Sequence, residues 1–285
     1  MKNSPHLPPG ALEAYFSTPV KSYLGRARLF PEGYEAFGTS VLSLAACTRP
    51  LMFEEQLDVD EKLEDFCTID GSCFLVRYRE KLFVITAKHC INPANGDDIR
   101  IVLDRASTVL LPLKYLHRAI SDPINQAFAD IAVMEAAPES LDTEELSLLK
   151  PLELDGLENG LLGVQEKAKL FVPGFPKWLN GVDFDRSIIR TQAYLTGGIY
   201  KAPDGRPGIH AMTFDELEWI SWPDGMSGSP VFLIEELPEA HYYGFAGMLI
   251  EATRVGEEAA FIGADVIYRF LDGVVSSADA RIVGQ

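Results

Sequence analysis

From residue 71 onward the apolar positions fall in short runs separated by Gly, Pro and polar turns, not in helical stripes. GSCFLVRYREKLFVITAKHC, starting at Gly71, reads as two strands about a polar turn at Arg79–Lys81. IRIVL (99–103), LLPLKYL (110–116) and DIAVMEA (130–136) read as three more. Residues 138–163, rich in Leu, Glu and Gly, read as the connection between two lobes. KLFVPGFP (169–176), RTQAYLTGGIY (190–200), WISW (219–222), SPVFLIE (229–235), YGFAGMLIEAT (244–253) and AAFIGA (259–264) continue the strand-and-turn pattern. Only ADVIYRFLDGV (264–274) has helical periodicity, with Val266, Ile267, Phe270 and Leu271 on one face. Many short strands with such turns predict an all-β sandwich or barrel.

The segment ahead of residue 71 has a different texture. Pro5, Pro8, Pro9, Pro19 and Pro31 mark an arm, and GTSVLSLAA (38–46) has the character of a strand. EEQLDVDEKLEDF (54–66) is dense in carboxylates and predicts a solvated loop or short exposed helix.

Composition narrows the class. With 285 residues, 47 % hydrophobic and 24 % charged, the chain has the apolar content for a core and is not a disordered chain. Its 25 Lys and Arg against 42 Asp and Glu give a net charge of −17. Such a surface repels phosphate backbones and anionic lipid heads, so neither nucleic acid nor a membrane is an expected partner. No apolar run resembles an export signal or a membrane span, which predicts a cytoplasmic chain with reduced thiols. Cys47, Cys67, Cys73 and Cys90 contain no CxxC pair and the five histidines are scattered. No metal site and no organic cofactor are expected.

Three short motifs carry chemistry. The first is FVITAKHC (83–90), an apolar strand running into His89. The second is ADIAV (129–133), where Asp130 leads a short apolar strand; Asp122 and Asp104 are the other carboxylates nearby. The third is DGMSGSPV (224–231), where Ser227 stands between glycines. A serine hydroxyl is a weak nucleophile and needs a base to take its proton. Neutral imidazole does this near pH 7, and a carboxylate behind it fixes its tautomer. Backbone N–H groups of a glycine-containing turn can hold the developing oxyanion.

These motifs resemble those of the trypsin-like (chymotrypsin-fold) serine proteases. TAKHC is similar to the family's Thr-Ala-Ala-His-Cys, and GMSGSP to its Gly-Asp-Ser-Gly-Gly-Pro. The order His, Asp, Ser is the chymotrypsin order. KLFVPGFP resembles the opening strand of the second barrel in intracellular and bacterial members, including the high-temperature-requirement proteases, although no PDZ-like segment follows. The resemblance implies two antiparallel six-stranded β-barrels with the site in the cleft between them. It places an N-terminal extension with its acidic loop at 1–68, a first barrel at 69–150, and a second barrel with a short C-terminal helix at 151–285. It implies His89 as general base, Asp130 as its orienting carboxylate and Ser227 as nucleophile, with the N–H groups of Gly225 and Ser227 as the oxyanion hole. The reaction implied is peptide-bond hydrolysis through an acyl-enzyme, at a rate that falls as pH drops through about 6–7.

Several positions depart from the family pattern. Met226 replaces the aspartate that pairs with a freshly cut N-terminus in secreted enzymes, so that activation route is absent. Cys90 matches the family's cysteine after the histidine, and Cys73 lies near the partner position. Counting back from Ser227 puts Ser221 at the base of the primary pocket, which argues against preference for Arg or Lys. Ile250, Glu251 and Ala252 form the strand edge that an extended substrate pairs with. Ala252 and Ala260 narrow the pocket in favour of a small apolar residue, while Glu251 is placed to reach a basic one. A restricted regulatory protease, acting on a protein or peptide substrate with an activating protein partner, fits the missing export signal and the extension. The alternatives are an idle fold that binds peptides and an ester-hydrolysing variant.

Overall fold

The computed structural model describes residues 27–30, 44–59, 62–91, 98–103, 109–118, 126–155, 166–183, 188–214, 223–237, 240–253 and 258–282. A short strand β1 (Ala27–Phe30) precedes the first sheet. That sheet contains β2 (Thr48–Val59), β3 (Lys62–Tyr78), β4 (Lys81–Ala87), β5 (Ile99–Arg100), β6 (Leu113–Arg118) and β7 (Ile131–Ala136). Its spatial order is β5-β2-β3-β4-β7-β6, and β8 (Leu152–Glu153) adds to β3 in parallel. The second sheet contains β9 (Lys169–Gly174), β12 (Tyr194–Pro203), β13 (Ile209–Phe214), β14 (Pro230–Leu237), β15 (Ala240–Ala252) and β16 (Glu258–Gly263). Here β15-β14-β9-β12-β13-β16 closes on itself through β15–β16, giving a six-stranded barrel. The first sheet is a half-barrel in its described pairings. A small hairpin of β10 (Gly181–Asp183) and β11 (Ile188–Arg190) stands apart, and the helix Ala264–Ile282 ends the described chain.

The continuous apolar runs have a simple cause. Successive strand residues point to opposite faces, and here both faces are buried. In β3, Cys73 and Leu75 face the core of the first sheet, while Phe74 and Val76 face a second core shared between the lobes. β4 repeats this, with Leu82 and Val84 on one side and Phe83, Ile85 and Ala87 on the other. In β14, Val231 and Leu233 fill the second barrel, while Phe232 and Ile234 meet the shared core. The C-terminal helix seals that shared core with Val266, Ile267 and Leu271, the face its periodicity predicts. Burying a Leu, Ile or Phe side chain contributes about 1.5–3 kcal/mol, so this central layer is what clamps the lobes together.

The start of the chain differs from the sequence expectation in three ways. The described part of the acidic run, 54–59 and 62–66, is neither loop nor helix: it lies in the paired strands β2 and β3, in register from Thr48↔Phe74 to Val59↔Lys62. Ladder pairing uses backbone groups, so two mutually paired strands tolerate a sequence whose side-chain preference is low. β2 belongs to the first sheet, and β1 adds to the outer edge of β15, so part of the expected extension is built into the fold. Leu44 and Ala45 are helical rather than extended, and 38–43 lie outside the described residues. The turn between β3 and β4 falls at Arg79 and Glu80, both with positive φ, and the Arg79 N–H donates to the Asp155 carboxylate at 2.9–3.0 Å.

Candidate active site

Strand register explains how His89 and Asp130 meet. β4 and β7 are antiparallel neighbours, with Thr86↔Ala132 and Ala87↔Ile131. His89 lies just past the end of β4, in a short 3-10 turn (Lys88–Ile91), and Asp130 lies just before β7. The Lys88 N–H continues the ladder to the Asp130 carbonyl at 2.9 Å. The Asp130 carboxylate accepts from the His89 backbone N–H at 3.0 Å and stands 2.8 and 3.0 Å from His89 Nδ1. Nδ1 therefore carries the proton, which leaves Nε2 as the basic nitrogen. The hydrogen bond to Asp130 holds the imidazolium and pushes the His89 pKa up to about 10, against a smaller opposing effect of burial. Asp104 and Asp122 lie outside the described residues.

Ser227 sits in two back-to-back turns that enter β14. The Met226 N–H bonds the Pro223 carbonyl and the Ser229 N–H bonds the Met226 carbonyl, each at 3.0 Å. Gly225 (φ +89°) and Gly228 (φ +86°) occupy the third positions, as type II turns require. Space demands glycine there as well. A Cβ on Gly225 would stand 2.7 Å from the Phe175 carbonyl, and one on Gly228 would run into the Ser72 carbonyl. Ser229 N–H and Met226 N–H are thus used within the loop, and the Gly228 N–H goes to the Leu249 carbonyl at 2.8 Å. The N–H groups of Gly225 and Ser227 have no partner among the described residues. Alternate N–H groups of one loop are thus unused among the described residues, as an anion-binding concavity requires.

The Ser227 backbone is brought to the His89 side of the cleft. Its carbonyl accepts from the Ser72 N–H at 3.0 Å and from Cys90 Sγ at 3.6 Å. Its hydroxyl donates to the Ile250 carbonyl at 3.1 Å, and among the described residues no hydrogen bond joins it to His89. Ile250 is the extra residue of a β-bulge: Leu249 pairs with Phe261 and Glu251 with Ala260, leaving Ile250 unopposed. The β14 side of β15 is bonded only as far as Leu249, through Gly228 and Ser229, so the edge at 250–252 is open among the described strands. The Ile250 side chain is buried, Glu251 is exposed and Ala252 is half-buried. Glu251 is not a free carboxylate, because Arg206 clasps it at 3.0 and 3.1 Å while also binding Asp204. Ala260 lies in the core shared between the lobes. Ser221 falls outside the described residues.

All four cysteines are free thiols. Cys73 is not opposite Cys90: its thiol points to the Arg49 and Pro50 carbonyls, and full burial pushes its pKa up. The residue facing Cys90 is Gly71, two positions earlier. Ser72, which the sequence did not single out, joins the two lobes at the site. Its only signal was its place two residues before the first long apolar run. Among the described residues no three His, Cys, Asp or Glu side chains gather as metal ligands, and no helix is long and apolar enough to cross a membrane.

A closed six-stranded antiparallel barrel beside a half-barrel, with the site between them, is the chymotrypsin-like double-barrel fold. Among solved structures the chain is similar to the scabies mite inactivated protease paralogue S-D1, with a TM-score of 0.52 and 15 % identity over 82 % of this chain and 94 % of that one. No family model matches the chain, and no curated protein matches it in sequence. The likeness is therefore one of fold, and nothing in it singles out the intracellular or bacterial branch.

Proposed function

We propose that the chain is a serine endopeptidase of restricted specificity, with His89, Asp130 and Ser227 as its triad. The observation that carries this reading is the Asp130 carboxylate fixing both the backbone and Nδ1 of His89, beside a Ser227 loop in which two N–H groups have no partner among the described residues. Ser227 Oγ attacks the scissile carbonyl carbon while its proton passes to His89 Nε2. The carbonyl oxygen becomes an oxyanion held by the Gly225 and Ser227 N–H groups. His89 then protonates the leaving amine, the C–N bond breaks, and an acyl-ester remains on Ser227. Water attacks that ester by the same route, releasing the acid and restoring the serine. In the resting site the hydroxyl is turned to the Ile250 carbonyl. That carbonyl lies on the open edge of β15, where an extended peptide would add as a strand. A substrate N–H taking the Ile250 carbonyl frees the Ser227 hydroxyl to turn toward His89.

A second reading, an idle peptide-binding module, is favoured by the Ser227–Ile250 bond and by the similar mite protein being an inactivated protease paralogue. The substrate of the first reading is a protein or peptide presented by an activating partner in the cytoplasm. Labelling of the purified chain with a fluorophosphonate probe, beside Ser227→Ala, separates the two. The protease labels and the mutant does not. A wild type that stays unlabelled, alone and with cell extract, leaves the binding module.

A further inference from the structure

We infer that the hydroxyl of Ser72 is a positioning group for the oxyanion hole, acting through the Gly225 carbonyl. This rests on reading Ser227 as the nucleophile. Ser72 is fully buried, in β3 of the first sheet, at a point where β3 is paired with β2 on one side and has no strand partner on the β4 side. β4 pairs with β3 only from Phe74↔Ile85 onward, and that is the side to which the Ser72 N–H and carbonyl point. All the polar groups of Ser72 are instead turned to the loops of the second lobe or to the end of β4. Its N–H donates to the Ser227 carbonyl at 3.0 Å. Its Oγ donates to the Gly225 carbonyl at 2.8 Å and accepts from the Phe175 N–H at 2.8 Å. Its carbonyl accepts from Thr86 Oγ1 at 2.8 Å.

The effect on the loop follows from peptide planarity. In a trans peptide the carbonyl and the following N–H point in opposite directions, so gripping a carbonyl aims the next N–H. The Lys177 N–H holds the Asp224 carbonyl at 2.8 Å, which aims the Gly225 N–H. The Ser229 N–H holds the Met226 carbonyl at 3.0 Å, which aims the Ser227 N–H. Between these two donor peptides lies the Gly225–Met226 peptide, and the hydroxyl of Ser72 grips its carbonyl. That bond, together with the Met226 N–H held by the Pro223 carbonyl at the other end of the same peptide, sets the angle between the two donors. Gly225 has no side chain to restrict its ψ, so the restriction has to come from outside the residue.

The test compares second-order rates of fluorophosphonate labelling and their pH dependence in wild type, Ser72→Ala and Thr86→Val. Thr86→Val removes a hydrogen bond from the same buried cluster without touching the Gly225 carbonyl. Ser72→Ala is expected to label at least tenfold more slowly, with the pH of half-maximal rate unchanged because His89 keeps its partners. Thr86→Val stays within threefold of wild type. The inference is overturned if Ser72→Ala labels within threefold of wild type, if Thr86→Val slows as much, or if the half-point moves with the rate. Should Ser72→Ala fail to melt cooperatively, Ser72→Cys decides. Its weaker and longer S–H donor is expected to slow labelling at least fivefold, and an unchanged rate overturns the inference. A wild type that never labels refutes the proposed function itself, which is a separate result.

Discussion

Replacing Gly71 by cysteine should create a disulfide to Cys90. A Cβ on Gly71 stands 3.0 Å from Cys90 Sγ and 3.2 Å from Cys90 Cβ. Bridged cysteines have Cβ atoms about 3.5–4.5 Å apart, so the backbones must part by a few tenths of an ångström. Closing a loop of about 20 residues contributes roughly 3 kcal/mol in the chain-entropy account, and that adjustment reduces it to about 1–3 kcal/mol. At about 2–4 °C per kcal/mol, the oxidised variant should melt about 2–12 °C above wild type. The reduced variant should melt below wild type, because the new side chain presses on Cys90. The assay is thiol titration in denaturant after oxidation, with melting curves taken with and without reductant. Wild type carries four free thiols. The oxidised variant should therefore show three, and Gly71→Cys combined with Cys90→Ser should lose all dependence on reductant. Five titratable thiols after oxidation would refute the placement of Gly71 against Cys90.

Two other outcomes follow from the same geometry. Asp130 holds His89 as the imidazolium and raises its pKa above 6.5, and only the neutral ring can accept the Ser227 proton. Fluorophosphonate labelling should thus rise with pH and reach its half-point above pH 7, higher than the 6–7 the sequence implied; a half-point at or below 6.5 contradicts the His89–Asp130 assignment. The fully buried Tyr243 hydroxyl has no partner among the described residues. Tyr243→Phe should raise the melting temperature or leave it unchanged, since no hydrogen bond is lost and an unpaired polar group is removed; a fall of more than about 1 kcal/mol in stability shows a missing partner.

The strands that surround the site were legible because two-sided burial writes long apolar runs, as in FVITA of β4 and IAVM of β7. The helix Ala264–Ile282 was legible for the complementary reason, one buried stripe. The strands β2 and the first half of β3 were not, because their run of carboxylates lacks the apolar pattern that marks a strand, while backbone pairing does not depend on it. β13 was missed since IHAMTF alternates weakly, with His210 stacked on Phe261 where an apolar residue is expected. His89, Asp130 and Ser227 were recognisable from local motifs. The bond of Ser227 to Ile250, the clasp of Arg206 on Glu251 and the place of Gly71 opposite Cys90 depend on how distant segments meet, and no local pattern encodes them.

The attachment of β1 and the reach of Ser72 bear on when this site can come into being. Ala27 pairs with Tyr243, and the Ser72 hydroxyl meets a carbonyl 153 positions further along. Contacts of such sequence separation form late, after the loop-closure entropy of nearly the whole chain has been offset. On a ribosome the first sheet can fold while Gly225 and Ser227 are still unmade, and the barrel closes only when β16 has emerged. A growing chain therefore carries His89 and Asp130 without a nucleophile loop to serve. Whatever chemistry the finished molecule performs, the order of synthesis keeps an unfinished chain from performing it.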